Sequence, residues 1–107
     1  MFRKQNTDRA GNSWSDKVKL AVWNKGTIVP GYNSALFRKD TCGAFIEWAK
    51  YGETIENGYG WEIDHIKPIS EGGSDDLTNL QPLQWQNNRA KADNYPAFNF
   101  CSVKALT

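Results

Sequence analysis

The side chains best suited to chemistry in this sequence begin at its only histidine. His65 follows Asp64, and Asn88, Arg89 and Lys91 come further along the chain. A neutral histidine is a suitable general base near neutral pH. Carboxylate and amide oxygens are hard ligands that favour Mg²⁺ or Mn²⁺ over zinc, and Arg89 and Lys91 can hold flanking phosphates. This set of residue types predicts metal-assisted hydrolysis of phosphodiester bonds.

A strand, a loop and a helix are needed to bring these residues together. Residues 61–66 are predicted to form a strand, and the polar residues 67–79 a loop. The apolar residues 77–83 supply a return strand, followed by a helix from residue 84 or 85 to about 93. A strand at 44–50 that pairs antiparallel with 61–66 is the simplest topology.

The phase of these elements decides which side chains share a pocket. Adjacent residues of a regular strand point to opposite faces, so Asp64 and His65 share a pocket only if the strand ends or twists there. Pro68, three residues after His65, favours such an end. On the helix, the ligand is either Asn87 or Asn88, and the spacing to the basic residues that follow favours Asn88.

The pattern across residues 61–93 resembles the motif of the HNH, or His-Me finger, endonucleases. The matching elements are D-H-I-x-P, then G-G, then D-x-x-N-L, then N-N-R-x-K-x-D. The resemblance implies a ββα-metal fold, in which two antiparallel strands and a helix clasp one catalytic cation. It implies that Asp64 and Asn88 are the metal ligands and His65 the general base. Asn79 would be the middle residue of the motif, which pins the loop and helps to orient His65.

The fold class expected for the chain is α+β, with a ββα-metal core, an added strand and an N-terminal helix. Residues 1–12 are expected to form a flexible basic arm. A single nuclease domain is expected over residues 13–107. It is divided into a basic helical extension at 13–39, a core at 40–95 that contains the motif, and a docking tail at 96–107.

Basic residues are concentrated in the first third of the chain. Residues 1–39 have eight basic and two acidic side chains, whereas residues 40–107 have five and ten. This asymmetry suggests that the first third faces a polyanion, and the alternative is an ordinary solvated helix with a basic tail. A helix is predicted over about residues 13–25, and a short helical turn at 35–40. The expected nucleic-acid contacts are Lys17, Lys19, Arg38, Lys39, Arg89 and Lys91.

The cofactor expected is Mg²⁺ or Mn²⁺, without structural zinc. Zinc sites usually need four Cys or His ligands, and only Cys42, Cys101 and His65 are available. The polar N-terminus does not resemble a signal peptide, so the expected location is cytoplasmic. Two free thiols are therefore the expected state of the cysteines, with a disulfide as the alternative. No apolar run is long enough to span a membrane.

The function predicted is metal-dependent endonucleolytic cleavage of DNA, with double-stranded DNA as the expected substrate. A protein partner or a homodimer would supply specificity, because nothing in the sequence indicates a module that recognises bases. Two alternatives stay open: a non-catalytic nucleic-acid-binding module with the same fold, and an RNA-cleaving enzyme with the same chemistry. The intact set of Asp64, His65, Asn79 and Asn88 favours catalysis, because a module that only binds needs no general base.

Overall fold

The computed structural model of the protein describes residues 5–104 and has an α+β fold. Two antiparallel pairs of strands lie beside two helices. The elements are α1 (Asp16–Trp23), β1 (Phe37–Lys39), β2 (Phe45–Glu47), β3 (Trp61–His65), β4 (Leu80–Gln84) and α2 (Trp85–Lys91). Short 3₁₀ helices lie at Trp48–Lys50, Ile69–Glu71 and Leu77–Asn79.

The second sheet consists of β3 and β4, and α2 follows β4 without a connecting loop. In the antiparallel register, Asp64 lies opposite Gln81 and His65 opposite Leu80. The Gln84 side chain caps α2 by accepting hydrogen bonds from the main-chain N–H groups of its first turn. The predicted loop, return strand and helix are therefore present, and they place α2 next to the end of β3.

The predicted pairing of residues 44–50 with 61–66 is wrong. Only Phe45–Glu47 is a strand, and it pairs antiparallel with β1. Asp40 explains this pairing, because its Oδ1 accepts hydrogen bonds from the main-chain N–H groups of Cys42 and Ala44 and closes a tight turn. The same hairpin replaces the helical turn predicted at 35–40, which is also wrong.

The core is built from tryptophan rings between α1 and the sheets. Trp23 and Trp61 are fully buried, and their ring centroids lie 5.2 Å apart. Trp48 contacts both rings at 5.6 and 5.8 Å. Val22, Ile46, Ile63 and Leu80 complete the cluster. Tilted and edge-on aromatic contacts of this kind add to the stability that the aliphatic side chains give the core.

Helix α1 is attached to the second sheet at its C-terminal side. Ser15 caps the helix by accepting a hydrogen bond from Val18 N. Beyond the helix end, Lys25 Nζ donates hydrogen bonds to the carbonyl oxygens of Leu77 and Leu80. Partial burial lowers the pKa of Lys25. This basic residue therefore stabilises the join between α1 and β4.

A disulfide joins Cys42 to Cys101, so the expectation of two free thiols is wrong. The bond connects cysteines that are 59 residues apart in sequence, which explains why no local pattern revealed it. It lies beside hydrogen bonds from Ser102 N and Val103 N to Asn87 Oδ1. The tail thus docks on α2, and its described part forms no strand. Disulfides persist mainly in oxidising compartments, and the cytoplasmic location stays a prediction.

The segment predicted as a flexible arm is packed on the sheet over its described part. Thr7 is buried, and Asn6 Oδ1 accepts hydrogen bonds from Ile63 N at 2.8 Å and Tyr51 Oη at 3.1 Å. Residues 1–4 of that arm lie outside the described residues. Within residues 5–104 no helix has the length and apolar character needed to cross a membrane.

Candidate active site

The C-terminal end of β3 brings Asp64 and His65 to one cavity of about 230 Å³, which Asn88 of α2 also lines. Neighbouring strand residues leave the strand on opposite faces. β3 ends at His65, and Asp64 and His65 both line the cavity at the strand end. The strand thus ends at His65, as the sequence required if these two residues were to share a pocket.

Asp64 is a buried carboxylate with one hydrogen-bond donor on each oxygen. Gln81 Nε2 donates to Oδ2 at 2.9 Å, and Lys91 Nζ donates to Oδ1 at 3.2 Å. Burial raises the pKa of Asp64 above its ordinary value, and the contacts with Gln81 and Lys91 oppose that rise. Each carboxylate oxygen keeps a further lone pair, so the group can still accept a ligand from the cavity.

His65 is held by one ring nitrogen. Its Nε2 lies 2.7 Å from Asp75 Oδ1, and the Trp14 ring packs against it at 5.5 Å between centroids. Nδ1 has no hydrogen bond to any described residue. Within the described chain, Trp14 Nε1 is the one fully buried side-chain polar atom without a partner. His65 Nδ1 is therefore not one of the buried unpaired atoms of the described chain, and His65 lines the cavity.

Asn88 is oriented by its amide nitrogen. Nδ2 donates to Glu62 Oε1 at 2.8 Å, and the same glutamate oxygen is paired with Arg89. This leaves Asn88 Oδ1 without a hydrogen bond among the described residues, and it too is not a sealed atom. Asn87 points elsewhere, since its amide bonds to the Asp40 carboxylate and to the tail. The structure thus places Asn88, and not Asn87, at the cavity.

Asn79 acts on the loop between β3 and β4. Its Oδ1 accepts from Lys67 N at 2.8 Å, and its Nδ2 donates to Lys67 O at 3.1 Å and to Ser74 O at 2.8 Å. Its own carbonyl accepts from Ile66 N. The side chain therefore ties both ends of the loop together. It makes no hydrogen bond to the His65 ring, so any effect of Asn79 on His65 passes through the loop.

One comparison with known proteins decides the family. A family model described as HNH endonuclease matches residues 40–94, which is just over half of the chain. The chain belongs to the HNH endonuclease family. HNH endonucleases act on nucleic acids and usually use a divalent metal. Neither the comparison with curated proteins nor that with solved structures found a significant match.

Two basic residues predicted to contact nucleic acid are buried in this HNH protein, and their side chains bind protein oxygens instead. The Arg38 guanidinium donates to the carbonyl oxygens of Ser34, Asn24 and Gly26, and the residue is 9% exposed. Lys91 is 2% exposed and donates to Asp64 and to the His65 carbonyl oxygen. Both predictions of a phosphate contact are corrected, because each cation is already enclosed by protein oxygens.

The other basic residues of the prediction differ in how accessible they are. Lys17 is exposed, whereas Lys19 lies over the Tyr51 ring and pairs with Asp16. Lys39 lies over the Phe45 ring at 5.2 Å. Arg89 is paired with Glu62, and its side chain stays 36% exposed at the edge of the site.

Three acidic or amide residues besides the predicted ligands shape the site, and the sequence did not point to two of them, Gln81 and Asp75. Glu62 orients Asn88, Gln81 bonds to Asp64, and Asp75 contacts His65. Strand alternation from Asp64 would have placed Glu62 on the same face. The motif element D-x-x-N-L has Asp76 as its aspartate, whereas the contact of Asp75 with His65 depends on the path of the loop.

Proposed function

We propose that this HNH endonuclease hydrolyses DNA phosphodiester bonds with His65 as general base and one divalent cation at Asp64 and Asn88. A single observation carries the proposal. Within the matched region, Asp64, His65 and Asn88 line one cavity, and His65 Nδ1 and Asn88 Oδ1 lack a hydrogen bond to any described residue. Polar atoms enclosed in a protein are usually hydrogen-bonded, so an imidazole nitrogen without a protein partner is available to water or substrate.

The donor set fits a hydrated Mg²⁺ or Mn²⁺ better than zinc. Asp64 and Asn88 would supply two oxygen ligands, and Glu62 holds the amide nitrogen of Asn88, which leaves the amide oxygen for a metal. Such ions accept few protein ligands, because they retain waters and bind phosphate oxygens. Among residues 5–104, no group of three or more His, Cys, Asp or Glu side chains is arranged to hold a metal. A closed protein cage of the structural-zinc kind therefore does not match these residues.

His65 would begin the reaction by taking a proton from water through Nδ1. The water oxygen forms a bond to phosphorus, and the bond from phosphorus to the 3′ oxygen breaks. The departing oxygen takes up a proton from solvent, which leaves a 5′-phosphate and a 3′-hydroxyl, the ends that the family resemblance implies. A bound divalent cation would supply charge neutralisation on the phosphate and on the departing oxygen. A positioned base typically contributes about 10²- to 10⁴-fold to such a rate.

Double-stranded DNA is the substrate that we propose, with backbone contacts from exposed cations. Lys17 and Arg89 are the accessible members of the predicted set. Contacts of this kind position a duplex without recognising its sequence. Specificity would then come from a protein partner or from a second copy of the chain.

Cleavage of supercoiled plasmid by the purified full chain tests this proposal. We expect nicked or linear product with Mg²⁺ or Mn²⁺ and none with EDTA. A duplex DNA competitor should slow the reaction more than an equal mass of structured RNA. Binding of DNA without cutting under every metal would support the binding-module alternative. Stronger competition by RNA would support the RNA-cleaving alternative.

A further inference from the structure

The Asp75 carboxylate is the partner of the proposed base. Its Oδ1 lies 2.7 Å from His65 Nε2, and the histidine side chain is 5% exposed. An ionised carboxylate only accepts hydrogen bonds, so the hydrogen between the two groups belongs to the imidazole. In the neutral ring, a hydrogen on Nε2 leaves the lone pair on Nδ1. That is the nitrogen without a hydrogen bond to any described residue.

Asp75 is itself held from two sides. Arg9 N donates to both carboxylate oxygens at 3.2 Å, so the N-terminal segment is attached to the loop at this residue. On the other side, Asn79 Nδ2 holds the carbonyl oxygen of Ser74, the residue before Asp75. The hydrogen bonds from Arg9 N and the fixed position of Ser74 thus hold the Asp75 carboxylate in place, although its side chain is 39% exposed.

The loop before Asp75 depends on two glycines. Gly72 has a φ of 88°, a backbone angle that residues with a side chain rarely adopt. A Cβ on Gly73 would lie 1.7 Å from the Lys67 carbonyl oxygen, so no larger residue fits there. The backbone therefore turns sharply enough to bring Asp75 back to the strand end, where His65 lies.

We propose that Asp75 is a positioning residue that holds His65 in the tautomer with its lone pair on Nδ1, aimed at the cavity. This inference deepens the proposed function and rests on it for its catalytic meaning. Asp75 does not line the cavity and contacts neither Asp64 nor Asn88, so it acts through His65. The N-terminal segment takes part, because Arg9 N holds the carboxylate in place.

Asp76 provides a matched control for Asp75. It carries the same charge one residue away and is exposed, and its side chain makes no hydrogen bond to the first turn of the following 3₁₀ helix. Asp76→Ala therefore repeats the charge change of Asp75→Ala without removing the contact to His65. Asp75→Asn keeps an acceptor oxygen and removes the charge.

Nitrogen-15 NMR of the full chain reads the tautomer directly, because His65 is the only histidine. At mildly alkaline pH we expect one imidazole with a protonated Nε2 and an Nε2–H proton protected from water. Asp75→Ala should lose that protected proton, while Asp76→Ala and Asp75→Asn keep it. A proton on Nδ1 in the wild type, or a protected Nε2–H that survives in Asp75→Ala, would overturn the proposal.

Cleavage kinetics test the catalytic consequence separately. We expect Asp75→Ala to lower kcat by about 10- to 100-fold, with KM and the Mg²⁺ requirement unchanged, and Asp76→Ala to match wild type. An unchanged kcat in Asp75→Ala, or an equal loss in Asp76→Ala, would refute the positioning role. If the wild type does not cut nucleic acid at all, the proposed function fails. The NMR result would still decide whether Asp75 sets the tautomer.

Discussion

Lys91 Nζ lies 3.2 Å from Asp64 Oδ1, and both side chains are almost completely buried. The same ammonium donates to the His65 carbonyl oxygen at 3.0 Å. Lys91 therefore fastens the last turn of α2 to the strand end that carries the predicted ligand and the predicted base. It also balances a carboxylate that would otherwise be an isolated buried charge.

Replacing Lys91 by methionine should destabilise the fold by about 3 kcal/mol, because removing one partner of a buried ion pair leaves the other charge uncompensated. Urea unfolding measures the loss. Added Mg²⁺ should stabilise Lys91→Met more than wild type, because the cation replaces the missing charge at Asp64. The exposed residue Lys17 gives the control, and Lys17→Met should unfold like wild type. An equal effect of Mg²⁺ on Lys91→Met and wild type would contradict a metal position at Asp64.

The two neighbouring asparagines of α2 should fail in different ways. Asn87→Ala removes an amide that bonds to Asp40 and to the tail, so we expect a loss of about 2 kcal/mol in unfolding free energy. Its metal dependence should not change. Asn88→Ala should keep most of the stability and need at least about tenfold more Mg²⁺ for cleavage. Unfolding curves measure the stability of both variants, and Mg²⁺ titrations of cleavage measure their metal requirement. A reversed pattern would assign the ligand to Asn87.

The side chain of Asn79 should control the order of the loop. Asn79→Ala removes three hydrogen bonds to Lys67 and Ser74, at an expected cost of about 1–3 kcal/mol. Amide hydrogen exchange at Lys67 should speed up, and cleavage should slow without a change in Mg²⁺ requirement. Thr78→Ala, at an exposed position of the same turn, is the matched control. Unchanged exchange at Lys67 in Asn79→Ala would count against the pinning role.

The disulfide should contribute measurably to stability. Closing a loop between residues 59 apart predicts that the Cys42→Ser/Cys101→Ser double variant loses about 2–4 kcal/mol. A dithiol reductant should lower the unfolding midpoint of wild type to a similar extent and leave the double variant unaffected. Titration of two free thiols in the unreduced, unfolded wild type would show that the bond is absent.

The sequence predicted the part of the site whose residues lie close together along the chain. The end of β3, the glycine loop and α2 follow from residue types within a few positions of one another, and α2 was placed almost to its observed bounds. The spacing to the basic residues of the helix favoured Asn88, the family resemblance paired it with Asp64, and both residues line one cavity. The family motif added Asn79, whose loop contacts the structure shows.

Non-local contacts could not be predicted in the same way. The β1–β2 pairing depends on a turn held by Asp40, and the disulfide joins distant cysteines. The charge of a basic residue does not reveal whether its side chain is exposed or is bound inside the protein. Arg38 and Lys91 both donate hydrogen bonds to main-chain carbonyl oxygens. Asp75 was missed because its position follows from the path of the loop and from the main chain of Arg9.

Removal of the imidazole from His65 is the most direct test of the central claim. Single-turnover cleavage of supercoiled plasmid should be about 10²- to 10⁴-fold slower for His65→Ala than for wild type, with the circular dichroism spectrum and DNA affinity retained. Free imidazole added to the variant should restore part of the rate, because it can enter the space that the ring leaves and accept the proton. Cleavage by His65→Ala at the wild-type rate, with the same metal requirement, would contradict His65 as the general base.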